Sequence, residues 1–289
     1  MSLGSPVVWI ALGLNNKGMK FRNYLRQRLV PADIAEAIDR MPVNVGELGY
    51  DPWGFNPDSA KVALAMIRHL YEKYFRVEVH GLENIPKQGR VLIIPNHSGQ
   101  LPMDGILTGY AVATNPHGPR MARAMIERFF PTVPWIGNVM HQIGGIIGDP
   151  LNCVNLLKRE EAVIVFPEGV RGSGKPYRLK YQLQRFGAGF MHLAMEHNAP
   201  VIPVGIVGCE ETMPSLGSID PLAKLLGIPY VPIAPLLPLP ARVILNFGEP
   251  MNFAGPIESE EQVVENVERV KDEIRRLIDK GLAERKSVF

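Results

Sequence analysis

The sequence of 289 residues has few cysteines, little net charge and no long uninterrupted apolar run. Its two cysteines, Cys153 and Cys209, lie far apart without CxxC spacing or nearby histidines, which argues against a disulfide framework and a zinc site. The 31 Lys+Arg and 29 Asp+Glu leave a net charge of +2, so global charge does not indicate a nucleic-acid partner. With 46% hydrophobic residues the chain can bury a full core, which excludes a disordered protein.

The apolar residues do not form a membrane-spanning pattern. No run of about 20 apolar residues free of helix breakers occurs, so we predict no spanning helix. The N-terminus has a short apolar stretch and no basic n-region, which argues against a signal peptide. Residues 225–241 carry no charge, but their prolines forbid a regular helix. Two interpretations of this segment stay open: a buried core loop, or an apolar surface that meets lipid or an acyl chain.

Short apolar runs alternate with helical patterns along the chain. The runs that predict strands lie at 77–81, 90–96, 144–148, 162–169, 200–208 and 242–248, and helical patterns lie near 104–114, 152–160 and 186–197. A long helix opened by Ser259 and Gln262 in capping-box spacing closes the chain. This order predicts an α/β fold with a mixed, mostly parallel sheet covered by helices on both faces. We predict a helical N-terminal region at 1–76 and the α/β domain at 77–289.

The loop after the predicted strand at 90–96 contains His97 and Asp104. An imidazole at a strand end can act as a general base when a carboxylate fixes its tautomer. Gly99 and Pro102 favour a tight turn that folds Asp104 back toward His97. The ordinary alternative is a solvated or structural histidine, and these residues alone do not decide between the two.

A second loop resembles a phosphate-binding loop in part. Gly169, Gly174 and Lys175 fit the spacing GxxxxGK after a strand. Pro176 stands where a nucleotide-binding loop needs a hydroxyl for magnesium, which disfavours a nucleotide-dependent enzyme. A glycine-rich loop carrying Arg171 and Lys175 can still hold a phosphate without hydrolysing it, although a solvated turn is the plainer alternative.

The same loop opens a strongly basic stretch. Residues 169–195 contain no acid and five cations, namely Arg171, Lys175, Arg178, Lys180 and Arg185. In a chain of nearly balanced charge this excess predicts an anionic ligand, a lipid headgroup or an acidic carrier protein. The sequence has no GxSxG, HExxH or GxGxxG pattern, so the motifs of common hydrolases and dinucleotide enzymes are missing.

Four blocks in order carry a family resemblance. They are NHSGQLPMD at 96–104, GGIIGDP at 144–150, VFPEGVRG at 165–172 and APVIPVGIVG at 199–208. Together they resemble the sequence blocks of the glycerolipid acyltransferase superfamily, the 1-acylglycerol-3-phosphate acyltransferase-like enzymes. The resemblance covers residues 77–250 or so, and is nearest to bacterial-type members with an extended His-x6-Asp motif.

The resemblance implies transfer of a fatty acyl group from acyl-CoA or acyl carrier protein to a hydroxyl of a lysophospholipid, glycerol phosphate or neutral glycerolipid. His97 would act as general base, with Asp104 orienting the imidazole and stabilising its charged form. The family's acceptor-phosphate contacts map onto Glu168, Gly169 and Arg171, with Arg171 as the anion-binding group. No metal or cofactor is expected, because the acyl thioester is a co-substrate.

The sequence departs from the family pattern in its first block. Six residues separate His97 from Asp104 where the family usually has four, and Pro102 stands at the usual acid position. We take Asp104 as the partner of His97, which requires the longer loop to fold back on itself.

A second departure concerns the acceptor. The second block of the family normally carries an arginine that helps to hold the acceptor phosphate, and here it has Asp149 and Pro150. This favours a neutral acceptor, or a lysophospholipid held in another way. Arg120 and Arg123 are candidates to replace the missing cation.

We expect a peripheral enzyme of phospholipid or other lipid metabolism on the cytoplasmic face of the membrane. Its partners would be an acyl donor, which includes acyl carrier protein as a candidate, and a lipid acceptor, with no nucleic acid. Two alternatives stay open. A thioesterase or lipid esterase would use the same His97 and Asp104 with water as acceptor, and would release free fatty acid without added lipid. A catalytically silent lipid-binding protein would bind liposomes without turnover.

Overall fold

The computed structural model describes residues 29–43, 45–128, 136–219, 221, 231–253 and 255–289. The prediction that no signal peptide is present concerns the N-terminus, which lies outside the described residues. The same holds for the first part of the helical N-terminal region and for residues 225–230 of the proline-rich segment 225–241.

Helices and strands alternate along the described chain. The strands are β1 Glu78–His80, β2 Val91–Pro95, β3 Ala122–Ile126, β4 Ile146–Ile147, β5 Ala162–Ile164, β6 Val201–Val207 and β7 Ile244–Phe247. The helices are α1 Ala32–Asp39, α2 Pro57–His69, α3 Met103–Ala113, α4 Ile136–Gln142, α5 Pro150–Lys158, α6 Val170–Ser173, α7 Gly189–Glu196, α8 Cys209–Thr212 and α9 Glu260–Glu284. The sequence patterns did not predict β3, α4 or the four-residue helices α6 and α8. The arginine at the second position of β3 interrupts the apolar run that marks a buried strand.

Among the described residues the seven strands form one sheet in the order β1-β7-β6-β2-β5-β3-β4. Neighbouring strands are parallel except for β6 and β7, which pair antiparallel. The predicted mixed, mostly parallel α/β sheet is therefore confirmed. Because β2, β3, β4, β5 and β6 run in the same direction, the loops at their carboxyl ends meet along one edge of the sheet.

Both faces of the sheet are covered by apolar helix faces. On one face α5, α7 and α9 pack against Leu92 and Ile94 of β2. On the other face α3 packs against Ile93 of the same strand. This alternation buries every residue of β2, which explains why its sequence reads as a continuous apolar run.

The described part of the N-terminal region packs on the α/β domain. Helix α2 begins at Pro57, where the side chain of Asn56 accepts a hydrogen bond from the Ser59 N–H at 2.9 Å. Leu64 of α2 shares a buried cluster with Tyr110 of α3. Helix α2 thus lies beside α3 at the edge of the α/β domain.

Helix α9 has the amphipathic pattern that its sequence predicts. Val263, Val270 and Ile274 are fully buried in its apolar stripe. The Ser259 hydroxyl accepts the Gln262 N–H at 3.2 Å, while the Gln262 side chain accepts the N–H of Glu258, one residue before the position expected for a capping box. In the part of the chain that the structure describes, neither α9 nor any other helix is long and apolar enough to cross a membrane.

Candidate active site

His97 and Asp104 meet at the carboxyl edge of the sheet, after β2 and in the first turn of α3. The Oδ2 atom of Asp104 lies 2.5 Å from His97 Nδ1 and accepts the N–H of Ser98 at 2.8 Å. Its Oδ1 atom accepts the N–H of Gly105 at 2.7 Å, and the side chain is fully buried. The longer His-x6-Asp loop therefore brings the two side chains together, because α3 begins at Met103 and turns Asp104 back toward the strand end.

The carboxylate of Asp104 determines which nitrogen of His97 is basic. We assign a proton to Nδ1, which donates to Asp104, so Nε2 is the nitrogen that can accept a proton. Burial lowers the pKa of His97, but the negative charges of Asp104, Glu168 and Glu127 outweigh it and raise the pKa above 6.5. The raised pKa makes the imidazole a stronger base and stabilises its charged form.

Two residues that were not predicted as site residues hold the backbone at His97. The buried side chain of Asn96 donates to the carbonyl of Ile206 at 3.1 Å and accepts its N–H at 2.7 Å, which ties the loop to β6. Gly172 lies so close that a Cβ at this position would be 2.7 Å from the Cβ atoms of both His97 and Glu168. Only a glycine fits there, which gives a packing reason for the glycine in VFPEGVRG.

The structure gives Glu168 a different role from the expected phosphate contact. Its Oε1 atom accepts the backbone N–H of His97 at 2.8 Å, and Oε2 accepts the N–H of Gln184 at 2.7 Å. The side chain is only 2% exposed. A buried carboxylate with both oxygens on backbone donors positions the histidine, and its negative charge would repel a phosphate.

Gly169 and Arg171 lie at the start of α6, next to Gly172. Gly169 has a φ of 55°, where a side chain would be strained, and it lines a cavity beside His97. Arg171 is exposed, and its guanidinium pairs with no acid among the described residues. The fold thus places Gly169 beside the histidine and leaves Arg171 open to an anion.

Lys175 is corrected from a ligand-binding residue to a structural one. Its Nζ lies 2.8 Å from the Glu210 carboxylate, and the two side chains are 3% and 4% exposed. Burial raises the pKa of Glu210, and the charge of Lys175 counteracts this rise. An ammonium that neutralises a buried carboxylate is not available to bind a substrate phosphate.

Lys175 and Arg171 therefore offer a contrasting pair of substitutions. Lys175→Met should lower the free energy of unfolding by about 3–5 kcal/mol, because it leaves Glu210 buried without its partner. Arg171→Ala, at an exposed position, should change that free energy by less than about 0.5 kcal/mol. Urea unfolding followed by circular dichroism measures both values. If the two variants had the same free energy of unfolding, Lys175 would again be a candidate ligand-binding residue.

Arg120 and Arg123, the candidates to replace the missing cation, also bind other groups of the protein. Arg120 donates to the carbonyls of Pro86 and Glu160, each at 2.9 Å. Arg123 is 2% exposed and forms a buried ion pair with Asp51. Neither guanidinium is available for an acceptor phosphate, so the structure does not support either arginine as a replacement for the missing cation.

A largely apolar cavity opens beside His97 between α2 and α3, and we refer to it as the α2/α3 cavity. Its wall on α2 consists of Ala60, Ala63, Leu64 and Ile67. Its wall on α3 includes Ile106, Gly109, Tyr110 and Ala113, and the far side includes Met140 and Ile143. His97 and Asp104 lie in its lining. The α2/α3 cavity has a volume of about 140 Å³, and its apolar lining beside the histidine suits part of a hydrocarbon chain attached to a reactive carbonyl.

A second cavity lies between α5 and α7 and holds about 530 Å³; we refer to it as the α5/α7 cavity. Met125, Ile126, Glu127 and Phe166 line both cavities. The ring of Phe166 packs against the imidazole of His97, with ring centroids 4.3 Å apart. The two cavities therefore border the same residues at the carboxyl ends of β3 and β5, and one of these residues, Phe166, contacts the His97 side chain.

Comparison with known proteins agrees with this geometry. The family model described as Acyltransferase matches residues 76–207. An uncharacterized protein of Mycobacterium tuberculosis is 34% identical over 259 residues, which cover 84% of this chain and 72% of that protein. A human protein named "DGAT1/2-independent enzyme synthesizing storage lipids" is 28% identical over 207 residues, 70% of this chain and 61% of that protein.

A solved structure shares the fold. It is the crystal structure of the 1-acyl-sn-glycerophosphate (LPA) acyltransferase PlsC from Thermotoga maritima, which superposes with a TM-score of 0.54 at 21% sequence identity. The match covers 80% of this chain and 83% of that chain. The mostly parallel sheet and its helices are thus an arrangement that this chain shares with a known acyltransferase.

Proposed function

This chain belongs to the acyltransferase family, and we propose that it transfers a fatty acyl group from acyl-CoA or acyl carrier protein to the hydroxyl of a glycerolipid. The observation that carries the proposal is the buried pair of His97 and Asp104 opening onto an apolar cavity. The names of the human relative and of the Thermotoga maritima enzyme refer to storage lipids and to an acyl-glycerophosphate, which supports a glycerolipid acceptor.

In the proposed reaction His97 works as a general base on the acceptor. Nε2 takes the proton of the hydroxyl as its oxygen attacks the carbonyl carbon of the thioester. Asp104 stabilises the imidazolium that forms. The tetrahedral intermediate then expels the thiolate, which takes the proton back from Nε2. The ester and the free thiol are the products, and no covalent acyl-enzyme is needed.

The α2/α3 cavity is the proposed place of the acyl chain. Gly109 supports this assignment, because a Cβ at this position would meet no heavy atom within 4 Å. The chain would lie between apolar side chains of α2 and α3, with its thioester carbonyl beside His97. The predicted N-terminal region is in this view a part of the donor site.

Exposed cations are the proposed contacts for the phosphate groups of the donor. Arg171 lies beside the site, and Arg178, Lys180 and Arg185 are also exposed, so four of the five cations of the basic stretch face solvent. Both candidate donors, acyl-CoA and acyl carrier protein, carry phosphate on their pantetheine arm. Arginine suits this role because its planar guanidinium can bind a phosphate with two hydrogen bonds.

We further propose that the enzyme works at the cytoplasmic surface of a membrane. The described part of the proline-rich segment, 231–241, exposes Leu236 by 94% and Leu237 by 74%. Leu216 is 83% exposed, and its N–H donates to the carbonyl of Ile233, so it belongs to the same surface. Apolar side chains this exposed favour the interpretation as a surface for lipid over that of a core loop.

A direct transfer assay tests the proposed function. The purified chain is incubated with palmitoyl-CoA or palmitoyl acyl carrier protein and, separately, with a lysophospholipid, glycerol phosphate, a monoacylglycerol and a diacylglycerol. Mass spectrometry should detect a new ester that depends on the acceptor. Free palmitate formed at the same rate without any acceptor would indicate a thioesterase, and liposome binding with no product would indicate a lipid-binding protein.

A substitution at Gly109 checks the placement of the acyl chain in the same assay. Gly109→Leu should lower kcat/KM for palmitoyl-CoA about tenfold or more and affect octanoyl-CoA much less, because the new side chain occupies the channel. Gly189→Leu is the matched control, since a Cβ there also meets no heavy atom within 4 Å but faces the α5/α7 cavity. If both variants changed the donor preference equally, the acyl chain would have to lie elsewhere.

A further inference from the structure

We infer that the α5/α7 cavity binds the acceptor, and that this acceptor is an uncharged glycerolipid, a monoacylglycerol or diacylglycerol, rather than a phosphorylated one. The inference rests on the proposed function, because it assigns the second substrate of the same reaction. Three observations support it: the position of the cavity, the charges in its lining and the groups that the nearby cations already bind.

The position of the α5/α7 cavity is what an acyl transfer requires. The acceptor hydroxyl must reach both Nε2 of His97 and the thioester carbonyl, so the acceptor site must adjoin the donor site at the histidine. The α5/α7 cavity shares four lining residues with the α2/α3 cavity, namely Met125, Ile126, Glu127 and Phe166, and Phe166 contacts the imidazole of His97. Its volume of about 530 Å³ lies within the usual range of roughly 300–1,000 Å³ for small-molecule sites.

The lining of this cavity is apolar with acidic groups. Val154, Phe190 and Leu193 supply apolar walls, while Glu127, Asp149 and Glu196 supply carboxylates. No lysine or arginine is among its lining residues in the part of the chain that the structure describes. Such a lining accepts alkyl chains and hydroxyl donors, and it repels a phosphate.

The other charged groups around the cavity do not cancel the negative charge of its lining. Arg128 is 74% exposed and pairs with Asp149 at 2.9 Å, so these two charges offset each other and Glu127 and Glu196 carry the negative charge of the lining. His192 of the lining lies 3.4 Å from the carboxylate of Glu260.

The cations that could have held an acceptor phosphate are committed to other partners. Arg120 binds two backbone carbonyls, Arg123 is buried on Asp51, and Lys175 is buried on Glu210. Arg171 is thereby left for the phosphates of the donor, and an uncharged acceptor needs no further cation.

The test compares two acceptors that differ only by a phosphate. Oleoyl monoacylglycerol and oleoyl lysophosphatidic acid are presented at equal mole fraction in neutral phosphatidylcholine vesicles, with the purified full chain and palmitoyl-CoA. We expect kcat/KM to be about tenfold or more higher for the monoacylglycerol. Asp149→Asn keeps a residue that caps α5 equally well and removes one negative charge. This variant should lower the ratio of kcat/KM for the monoacylglycerol to kcat/KM for lysophosphatidic acid by about three- to tenfold.

Two further variants complete the experiment. Glu196→Gln, at an exposed position of the lining, should also lower the kcat/KM ratio between the two acceptors. Because two different variants test the charge effect, a folding defect in one of them does not decide the result. Glu265→Gln, exposed on α9 and outside the lining, should leave the ratio unchanged.

The outcomes separate this inference from the proposed function. A preference of the unmodified chain for lysophosphatidic acid, or a ratio that neither cavity variant alters, would overturn the uncharged acceptor while leaving acyl transfer intact. Absence of any acceptor-dependent ester, with both donors and all acceptors, would overturn the proposed function itself.

Discussion

His97→Ala should lower kcat for acyl transfer by about 10²- to 10⁴-fold, which is the usual contribution of a general base. The substitution removes the imidazole that is the proposed acceptor of the hydroxyl proton during attack on the thioester. The fold should persist, because the contacts that Asn96 and Glu168 make at this loop involve the asparagine side chain and the His97 backbone. Single-turnover product formation and the unfolding midpoint, measured on one preparation, check both parts.

His80→Ala is the matched control for this substitution. His80 is half exposed on β1, an edge strand that two strands separate from β2 in the sheet. Its removal also deletes one imidazole and should leave kcat within twofold or so of the unmodified chain. Comparable activity of the His97 and His80 variants would remove His97 from the mechanism.

Asp104→Asn should lower kcat by about 10²-fold or more, although it preserves the shape of the side chain. The amide cannot stabilise the imidazolium, and it can hold Nε2 in the protonated form. Its NH2 group must also face a backbone N–H, of Ser98 or of Gly105, which now donate to carboxylate oxygens. We expect a loss of stability of about 1–3 kcal/mol from that unpaired buried donor.

The pH dependence distinguishes lost positioning from simple loss of folded protein. His97 must be neutral to act as a base, so kcat/KM should fall as the pH drops through its pKa. The carboxylates raise that pKa, so this acidic limb should lie above 6.5 in the unmodified chain. Removing the Asp104 charge leaves burial to lower the pKa, so the limb of the residual activity should move to lower pH.

Unfolding alone does not move this limb, because it reduces the amount of active enzyme at every pH of the stable range. An unmoved limb in the Asp104 variant would therefore show that the carboxylate does not set the charge state of the imidazole. Measuring the profile only where circular dichroism shows a folded variant keeps the comparison valid.

The sequence predicted most of the fold because local patterns report it. Strands β2 and β6 are buried on both faces and read as continuous apolar runs. Helix α9 carries a regular buried stripe and a side-chain cap. Strand β3 escaped prediction because the arginine within it, Arg123, is buried only through its ion pair with Asp51, a residue 72 positions away.

The same limit applies to the candidate site. The sequence blocks pointed to His97 and Asp104, and the structure places them in contact. The blocks also pointed to Glu168 as a ligand contact, and the glycine-rich loop pointed to Lys175, since a loop of charged and glycine residues gives no sign of burial. Their partners, the His97 backbone and Glu210, lie 71 and 35 positions away and approach only when the strand ends meet.

The sequence by itself determined the fold class, the acyltransferase blocks and the histidine–aspartate pair, because these depend on periodicity and on residues close in the chain. Only the tertiary structure decided which charges are available to a ligand, and which residues line the two cavities. Each of those features depends on contacts between loops from different strands, whose proximity no local pattern encodes. The small net charge of the sequence therefore does not distinguish two groups of cations. The fold buries one group in ion pairs with carboxylates and leaves the other group exposed to solvent.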